Sequence, residues 1–323
     1  MTKSDALSEL LRDVRLTGAV FLYADFGAPW GFRAPAAIGA ARLLAPEAER
    51  LVPFHLLLEG EAEASVCDSK PLRLAAGDLI VFPSGEEHVL RNGPDDDLVD
   101  SSFLLPKILE GGLVYETGGG GGPRTRFVCG YVACDRQATR LLLSGLPPMF
   151  SIGIRGTRSG PWIESAFGEL VTESQAPRAG SRALLAKLAE VLFVEILCQY
   201  MQALPAEYSG WLAAARDPAI GAALAAMHRD PGAGWTLANL AARAGLSRTI
   251  FIERFTRLVG ESPAAYLAST RLHSAARRLH TTSDTVLEIA LAVGYQSEAA
   301  FNRAFKRQFA LPPSRFRKQP PAS

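Results

Sequence analysis

Two related stretches in the last third of the chain decide the fold. The first reads LAARAGLSRTIFIERF over residues 240–255, and the second reads IALAVGYQSEAAFNRAF over residues 289–305. Gly245 in the first stretch lies 49 positions before Gly294 in the second, whereas the serines that follow them lie 50 positions apart. The second copy therefore has one extra residue in its turn, and the chain contains a duplicated structural unit.

Each copy predicts a helix, a tight turn and a second helix. Glycine at the turn suits the left-handed residue that ends the first helix, and Ser247 and Ser297 suit the N-cap of the second helix. Two phenylalanines spaced four residues apart would anchor each second helix to the core. They are Phe251 and Phe255 in the first copy, and Phe301 and Phe305 in the second. The pattern predicts two helix-turn-helix units, whose second helices enter major grooves of DNA.

The outer face of each second helix would carry the DNA contacts. In the first copy the outward residues are Arg248, Thr249, Ile252, Glu253 and Arg257. In the second copy they are Glu298, Ala299, Asn302, Arg303, Lys306 and Arg307. Charge supports this interpretation, because residues 221–323 hold 14 Lys and Arg against 6 Asp and Glu, whereas residues 1–220 hold 20 against 27. A helical repeat with a purely structural role is the alternative.

The last third of the chain resembles a known family. Residues 217–318 are similar, without a gap, to the DNA-binding part of the AraC/XylS family of transcription regulators. The motifs that carry the resemblance are Ile289–Ala290, Gly294–Tyr295, Ser297, Phe301, Phe305–Lys306 and the closing segment Pro312–Arg317. The resemblance implies that a linking helix, from about Pro263 to His280, holds the two units in successive major grooves roughly 34 Å apart.

The resemblance also divides the outward residues by role. It implies that bases are faced by Thr249, Ile252, Glu253, Glu298, Ala299 and Arg303. Arg303 is the strongest candidate for base recognition, because an arginine can bind guanine through two hydrogen bonds. The remaining basic residues would contact phosphates, which position a protein without specifying a sequence. They are Arg248, Arg257, Lys306, Arg307 and Arg317.

The N-terminal part of the chain has a different pattern of apolar residues. Short apolar runs broken by Gly, Pro and Asp over about residues 4–110 are typical of a β-sandwich or barrel. The run GDLIVFPSGEEHVLRN, residues 77–92, resembles the second motif of the cupin fold, and residues 54–61 resemble its companion motif. A cupin-type effector domain of this kind precedes the DNA-binding part in one subgroup of the AraC family.

The sequence thus predicts an α+β chain of three segments. Residues 1–137 would form a cupin-like β-barrel that senses an effector, residues 138–216 a helical connector, and residues 217–323 an all-α DNA-binding domain with two helix-turn-helix units. Within the connector, apolar residues surround the predicted helix from Ser181 to Met201, which would be a core helix or a dimer interface. The glycine-rich run at 117–123 would be a flexible loop.

The cupin resemblance singles out His55, Glu61 and His88 as candidates for an effector pocket or a metal site. Metal-dependent cupins place a second histidine where this chain has Leu57, so that two histidines and one carboxylate remain to hold a transition metal. The alternative is that His55 and His88 are hydrogen-bonded pocket residues and that Glu61 lies in a solvated turn. No other cofactor is expected.

Cys129 and Cys134 are the second group of candidate sensor residues. Their thiols could be oxidised to a disulfide or hold a soft metal ion. Alternatively, both cysteines are small buried apolar residues.

These features predict a sequence-specific transcription regulator controlled by a small-molecule, metal or redox signal. The expected partners are double-stranded DNA, the effector, RNA polymerase if the protein is an activator, and a second copy of the chain in a homodimer. The absence of an apolar leader near Met1 and of a membrane-spanning apolar run predicts a cytoplasmic location. No enzymatic activity is expected. The alternatives are a cupin-type metalloenzyme with a helical appendage, and a protein that binds DNA without sequence preference.

Overall fold

The computed structural model divides the chain into two compact units. It describes residues 5–67, 69–94, 98–110, 113–174, 179–205 and 208–318. The sheet unit comprises Arg15–Tyr200, and the helical unit comprises Met201–Ser323 together with Met1–Val14. The N-terminal helix α1 (Ala6–Leu11) therefore belongs to the helical unit. This division differs from the three predicted segments, since residues 5–14 join the last third of the chain and residues 138–200 join the sheets.

The sheet unit contains eleven strands within the described ranges. They are β1 (Leu16–Gly27), β2 (Trp30–Ala34), β3 (Arg50–Glu59), β4 (Glu61–Val66), β5 (Leu72–Ala75), β6 (Asp78–Val81), β7 (His88–Asn92), β8 (Val99–Asp100), β9 (Val114–Gly119), β10 (Arg124–Cys134) and β11 (Phe150–Gly153). One sheet has the order β11-β6-β3-β10-β1-β9, and the other has the order β5-β4-β7-β2-β8. The predicted β-rich, cupin-like fold of this region is confirmed.

The two sheets share one apolar core. Alternate residues of each strand point to the same face of a sheet, and the inward face of β10 supplies Phe127 and Cys129. The Trp30 ring from the second sheet stacks on Phe127 with the ring centroids 5.3 Å apart. Aromatic pairs of this geometry add stability beyond the area that they bury. The core therefore holds β10 of the first sheet against β2 of the second.

Helices complete the sheet unit. They are α2 (Ala37–Leu44), α3 (Leu104–Glu110), α4 (Arg136–Ala138), α5 (Gly160–Ser174) and α6 (Ser181–Ala203), of which α6 ends three residues beyond the last residue of the unit. A 3-10 turn at Ser101–Phe103 leads into α3, and a π-helical turn at Thr139–Leu143 follows α4.

The long helix α6 packs on strand β1. A Cβ atom placed on Gly18 would lie 2.5 Å from the Cβ of Ala189, so only glycine allows this close approach. Leu185, Leu192 and Ile196 are buried, which makes α6 a core helix on that side. Leu184 and Val191 remain exposed. The second predicted role of this helix, a dimer interface, stays a prediction.

The glycine-rich run is not a flexible loop, and that prediction is wrong. Residues up to Gly119 extend β9, which pairs in parallel with β1. The amide of Gly120 donates to the carbonyl of Gly27 at 2.7 Å, and the amide of Gly122 donates to the carbonyl of Ala28 at 2.9 Å. A Cβ on Gly27 would collide with the carbonyl oxygen of Gly120. Glycine is therefore present because two backbone segments come into contact.

The helical unit consists of α1 and eight further helices in the part of the chain that is described. They are α7 (Trp211–Arg216), α8 (Pro218–Arg229), α9 (Leu237–Arg243), α10 (Arg248–Val259), α11 (Pro263–Thr281), α12 (Val286–Ala292), α13 (Glu298–Phe309) and α14 (Pro313–Phe316). The predicted all-α region with two helix-turn-helix units is confirmed. None of the helices in the described ranges combines the length and the apolar character that crossing a membrane requires.

Helix α1 is held to the helical unit by apolar and ionic contacts. Leu7 and Leu10 are buried, and Nε of Arg229 donates to a Glu9 carboxylate oxygen at 3.0 Å. Asp13, just after α1, accepts a hydrogen bond from Arg277 on α11. The first strand of the sheet unit begins at Leu16, only a few residues further along the chain.

Candidate DNA interface and effector cavity

The two helix-turn-helix units form through the local signals that the sequence contains. Gly245 and Gly294 adopt positive φ angles of 66° and 89°, which suit glycine because it lacks a Cβ. Ser247 caps α10 by accepting from the amide of Ile250 at 3.4 Å. Ser297 caps α13 by accepting from the amide of Ala300 at 3.3 Å. Each turn therefore ends one helix and starts the next within a few residues.

Paired phenylalanines set the rotation of each second helix about its axis. Phe251 and Phe255 on α10 are fully buried with their ring centroids 5.6 Å apart. Phe301 and Phe305 on α13 are also fully buried, with the centroids 5.4 Å apart. Because residues four apart share one face of a helix, the opposite face of each helix is turned outward.

The residues predicted to contact DNA lie on those outward faces. The exposed ones are Arg248, Thr249, Glu253, Arg257, Glu298, Ala299, Arg303, Lys306 and Arg307. Ile252 and Asn302 are half-buried, and Nδ2 of Asn302 donates to Glu298 across one helical turn at 3.4 Å. The outward faces thus carry both charged and uncharged side chains.

Two residues differ from the sequence-based assignment. Arg317, expected to contact a phosphate, instead donates to the backbone carbonyl of Asp284 and is half-buried. Ile250 was not among the predicted contacts, yet its side chain is 52 % exposed in the first turn of α10. Its position next to the buried Phe251 is the signal that could have identified it. An exposed apolar side chain there can contact a thymine methyl group.

Arg271 on α11 connects the two helix-turn-helix units. Its Nε donates to the carbonyl of Pro231 at 2.8 Å and its Nη2 to the carbonyl of Ala233 at 2.9 Å, both in the segment that leads into α9. The same guanidinium packs against the second turn, where a Cβ on Gly294 would lie 2.8 Å from its Cζ. Burial lowers the pKa of Arg271. One side chain thus touches the segments that position both second helices.

The sheet unit contains a cavity of about 400 Å³. Its walls are mainly apolar and include Phe21, Leu44, Leu51, Leu104 and Ile108. Its polar lining groups are His55, His88, Ser101, Ser102 and Tyr131. A concave, mostly apolar cavity with a few polar groups is the usual form of a small-molecule site.

A directional chain of hydrogen bonds occupies both histidines. Nδ1 of His88 lies 3.0 Å from the carbonyl oxygen of Glu86, which can only accept, so this nitrogen carries the proton. Nε2 of His88 is then an acceptor, and the N–H at Nε2 of His55 donates a hydrogen bond to it at 3.0 Å. Nδ1 of His55 in turn accepts from the Cys129 thiol, with Sγ 2.6 Å away. The terminal carbonyl therefore fixes the tautomer of each ring.

Both histidines are held in the neutral form. Burial lowers the pKa of His88 from its ordinary value to about 4. Burial, and then repulsion from His88, lower the pKa of His55 well below its ordinary range. The ring of His88 also stacks on Phe82 with a centroid separation of 3.8 Å. The pair is thus a neutral, hydrogen-bonded part of the cavity wall.

Glu61 does not join the histidines. It begins β4 with an exposed side chain, and its backbone carbonyl accepts from the Thr125 hydroxyl at 2.9 Å. Among the described residues, no cluster of three His, Cys, Asp or Glu side chains could hold a metal ion. Each nitrogen of His55 and His88 already has a hydrogen-bond partner. The residues present therefore do not fit the metal site of metal-dependent cupins.

Cys129 and Cys134 are not placed together. They lie five positions apart on β10, so they face opposite sides of the sheet at a separation of about 16 Å. A disulfide needs Cα atoms within about 7 Å, which excludes a bond between these two residues. Burial raises the pKa of both thiols. The disulfide alternative is wrong. Both cysteines are free and buried, as the other alternative expects, and Cys129 is also hydrogen-bonded to His55.

Comparison with known proteins agrees with this geometry. Residues 5–202 match the profile of a cupin family, and residues 240–319 match that of a helix-turn-helix domain. The chain is 32% identical over 275 residues to a putative AraC-like transcription regulator of Streptomyces lividans, covering 85% of this chain and 89% of that protein.

Two relatives match along nearly their whole length. The chain is 30% identical over 318 residues to the HTH-type transcriptional regulator AlkR of Acinetobacter baylyi, covering 98% of this chain and 99% of that protein. It is 31% identical over 317 residues to the HTH-type transcriptional regulator MtrA of Neisseria gonorrhoeae, covering 98% of each.

We predict that Arg271→Met alters the preferred spacing between the two half-sites on DNA. Loss of the hydrogen bonds to Pro231 and Ala233 should reduce the free energy of unfolding by about 2–3 kcal/mol and loosen one reading helix relative to the other. Binding to DNA duplexes whose half-sites are moved by one base pair measures the second effect. The matched control is Arg315→Met on the exposed side of α14. An unchanged spacing preference would leave Arg271 a purely structural residue.

We predict that acid weakens the sheet unit through the buried histidines. Because the folded-state pKa of His88 is about 4 and the unfolded value is about 6.5, the unfolded chain binds the proton first. The contribution of neutral His88 to the stability of the folded state is therefore complete above pH 6.5 and is lost as the pH falls toward 4. Between pH 6.5 and 5 the free energy of unfolding should fall by up to about 1.4 kcal/mol per pH unit for each histidine. In chemical denaturation between pH 6.5 and 5, the free energy of unfolding of His88→Phe should fall less steeply with decreasing pH than that of the wild type. Equal pH dependence in the two proteins would contradict a buried, neutral His88.

Proposed function

Because the chain belongs to the AraC-type DNA-binding transcription regulators with an N-terminal cupin domain, we propose that α10 and α13 read a specific operator while a small molecule in the cavity controls the output. The observation that carries the proposal is the duplicated helix-turn-helix, in which buried phenylalanines turn a charged face of each second helix outward. The relatives are transcription regulators, which speaks against the alternative of a cupin-type metalloenzyme.

The two second helices divide their contacts between bases and phosphates. Base contacts come from Thr249, Ile252, Glu253, Glu298, Ala299 and Arg303, with Ile250 added from its exposure. Phosphate contacts come from Arg248, Arg257, Lys306 and Arg307. Asn302 is held toward Glu298 and orients that carboxylate. Base contacts give sequence preference, and phosphate contacts give affinity that falls with salt.

Helix α11 is the spacer between the reading helices. Its 19 residues span about 28 Å at 1.5 Å per residue, which is of the order of the roughly 34 Å between successive major grooves on one face of DNA. Arg271 adds a cross-link from this spacer to both units. The rigid spacing restricts binding to operators with one separation between half-sites.

Control by the effector requires that its cavity be coupled to DNA binding. The chain passes between the two units after Val14 and after Tyr200. After Val14 the chain continues directly into β1, which carries the cavity residue Phe21. The segment before Val14 is held in the helical unit by the hydrogen bonds of Glu9 and Asp13 to arginines. An effector acts only through a difference in its affinity for two arrangements, and a tenfold difference corresponds to about 1.4 kcal/mol.

Further partners follow from the regulator role. A homodimer would use the face of α6 that exposes Leu184 and Val191. RNA polymerase is the partner if the output is activation. Neither a metal nor a cysteine pair is needed for the switch, because the cavity itself supplies a ligand site.

Footprinting tests the function directly. The full chain should protect two segments about one helical turn apart upstream of its own gene or a neighbouring one. It should also bind that DNA at least a thousandfold more tightly than random DNA at physiological salt. Equal affinity for both DNAs would favour the alternative of a protein without sequence preference.

We predict that Arg303→Ala costs about 1–3 kcal/mol at the cognate site and relaxes the preference at one base pair, because a bidentate contact to guanine is lost. Arg307→Ala is the matched control on the same helix. It should weaken binding to all sequences alike and lower the salt dependence, as expected for a phosphate contact. Titration of labelled duplexes that carry each base at each position provides the measurement. A uniform loss with Arg303→Ala would make Arg303 a phosphate contact as well.

A further inference from the structure

The residues that line the cavity determine which ligand charge it can accommodate. No Lys, Arg, Asp or Glu is among the described residues that line it. The only titratable groups that line it within the described ranges are His55, His88 and the Tyr131 phenol. The cavity is partly open to solvent. An ion drawn into it against these walls would lose hydration without gaining an opposite charge, which costs several kcal/mol.

The histidines cannot supply that opposite charge. Each ring nitrogen is engaged in the chain from Cys129 through His55 and His88 to the carbonyl of Glu86. A second proton on His88 would place two donors face to face at the 3.0 Å contact between the two Nε2 atoms. A second proton on His55 would lie on Nδ1 and replace the hydrogen bond that this nitrogen accepts from the Cys129 thiol. The low pKa values of both rings agree with this.

The helical turn beside the cavity does not offer an anion site either. Ser101 and Ser102 lie at the start of the 3-10 turn that leads into α3, where amide protons would attract an anion. The carboxylate of Asp100 already occupies that position. It accepts from the amide of Ser102 at 2.8 Å and from the hydroxyl of Ser102 at 2.5 Å. A second carboxylate would be repelled there.

The Tyr131 hydroxyl, like the Ser101 hydroxyl at the turn, is a lining polar group that remains for a ligand. Tyr131 lies two residues beyond Cys129 on β10, so both face the same side of the sheet. Its side chain lines the cavity, and its hydroxyl forms no hydrogen bond with the residues that the structure describes. Burial raises the pKa of this phenol, which therefore stays protonated and can both donate and accept.

We propose that the cavity binds an uncharged, mostly apolar molecule that carries a single hydrogen-bonding group, such as a hydroxyl or a carbonyl, placed against the Tyr131 hydroxyl. The inference rests on the proposed function, because it names the class of effector that the cupin unit takes. Carboxylates and amines with the same apolar skeleton bind more weakly, because placing their charged end against the Tyr131 hydroxyl removes water from the charge without supplying an opposite one. Tyr131 is the residue that recognises the polar end.

Three ten-carbon probes of different charge test the ligand class. Calorimetric titration of the full-length protein at pH 7.4 compares 1-decanol, decanoate and decylammonium, each below its aggregation concentration. Decanol should bind at least tenfold more tightly than either ion. Tyr131→Phe should lower the affinity for decanol about two- to tenfold, which is the effect of one neutral hydrogen bond. The same variant should leave the weak binding of decanoate unchanged.

A cavity-filling variant locates the binding. Ala40 lines the cavity from α2, a helix without buried residues, so Ala40→Trp should fill the space with little effect on the core. The Ala40→Trp variant should bind decanol with an affinity more than tenfold lower than that of the wild type. An unchanged affinity would place decanol outside the cavity.

The outcomes separate the ligand class from the regulator role. Decanoate or decylammonium binding as tightly as decanol would overturn the uncharged class, and an unaltered decanol affinity in Tyr131→Phe would overturn the role of Tyr131. Failure of all three probes to bind would overturn both this inference and the effector cavity. If decanol binds in the cavity but leaves the affinity for operator DNA unchanged, the ligand class stands and the control mechanism fails.

Discussion

The burial of two phenylalanines on each second helix is the constraint on which the DNA-reading part depends. Phe251 and Phe255, like Phe301 and Phe305, are completely enclosed. Exposing any of these rings would cost several kcal/mol, so neither helix can rotate about its axis. Thr249 and Arg303 are turned outward because the rings on the other face are turned inward. Packing of the core thus determines which side chains each helix turns outward, and the proposed DNA contacts are among them.

In the sheet unit, by contrast with the outward side chains of the two second helices, the polar side chains of His55 and His88 are buried. Its buried histidines are not presented to a partner but satisfy one another along a chain that ends on a backbone carbonyl. A buried polar group costs free energy unless it is hydrogen-bonded, and here every ring nitrogen is. The result is a cavity wall that contains two imidazoles and yet carries no charge. A histidine motif that would hold a metal in other cupins therefore shapes an apolar site here.

The sequence allowed the local features of the fold to be predicted and missed those that depend on strand register. Gly245, Gly294, Ser247 and Ser297 were identified because a turn and a cap act within a few residues. The contact between His55 and Cys129 joins residues 74 positions apart, and only the pairing of β3 with β10 places them opposite each other. The cupin resemblance groups Glu61 with the histidines, although strand geometry turns its side chain to solvent. Sequence spacing groups Cys134 with Cys129, although the two face opposite sides of β10. Arg271 was missed for the same kind of reason, since its partners lie about 40 positions away.

Site-directed DNA cleavage tests the central claim most directly. An iron–EDTA reagent is attached to Thr249→Cys or Ala299→Cys in the full chain, with the exposed Cys67 replaced by serine. Two reading helices in successive major grooves predict one cleavage centre for each variant, about 10 base pairs apart on the same face of the operator. Cleavage at a single shared position, or scattered cleavage with no fixed separation, would contradict the account.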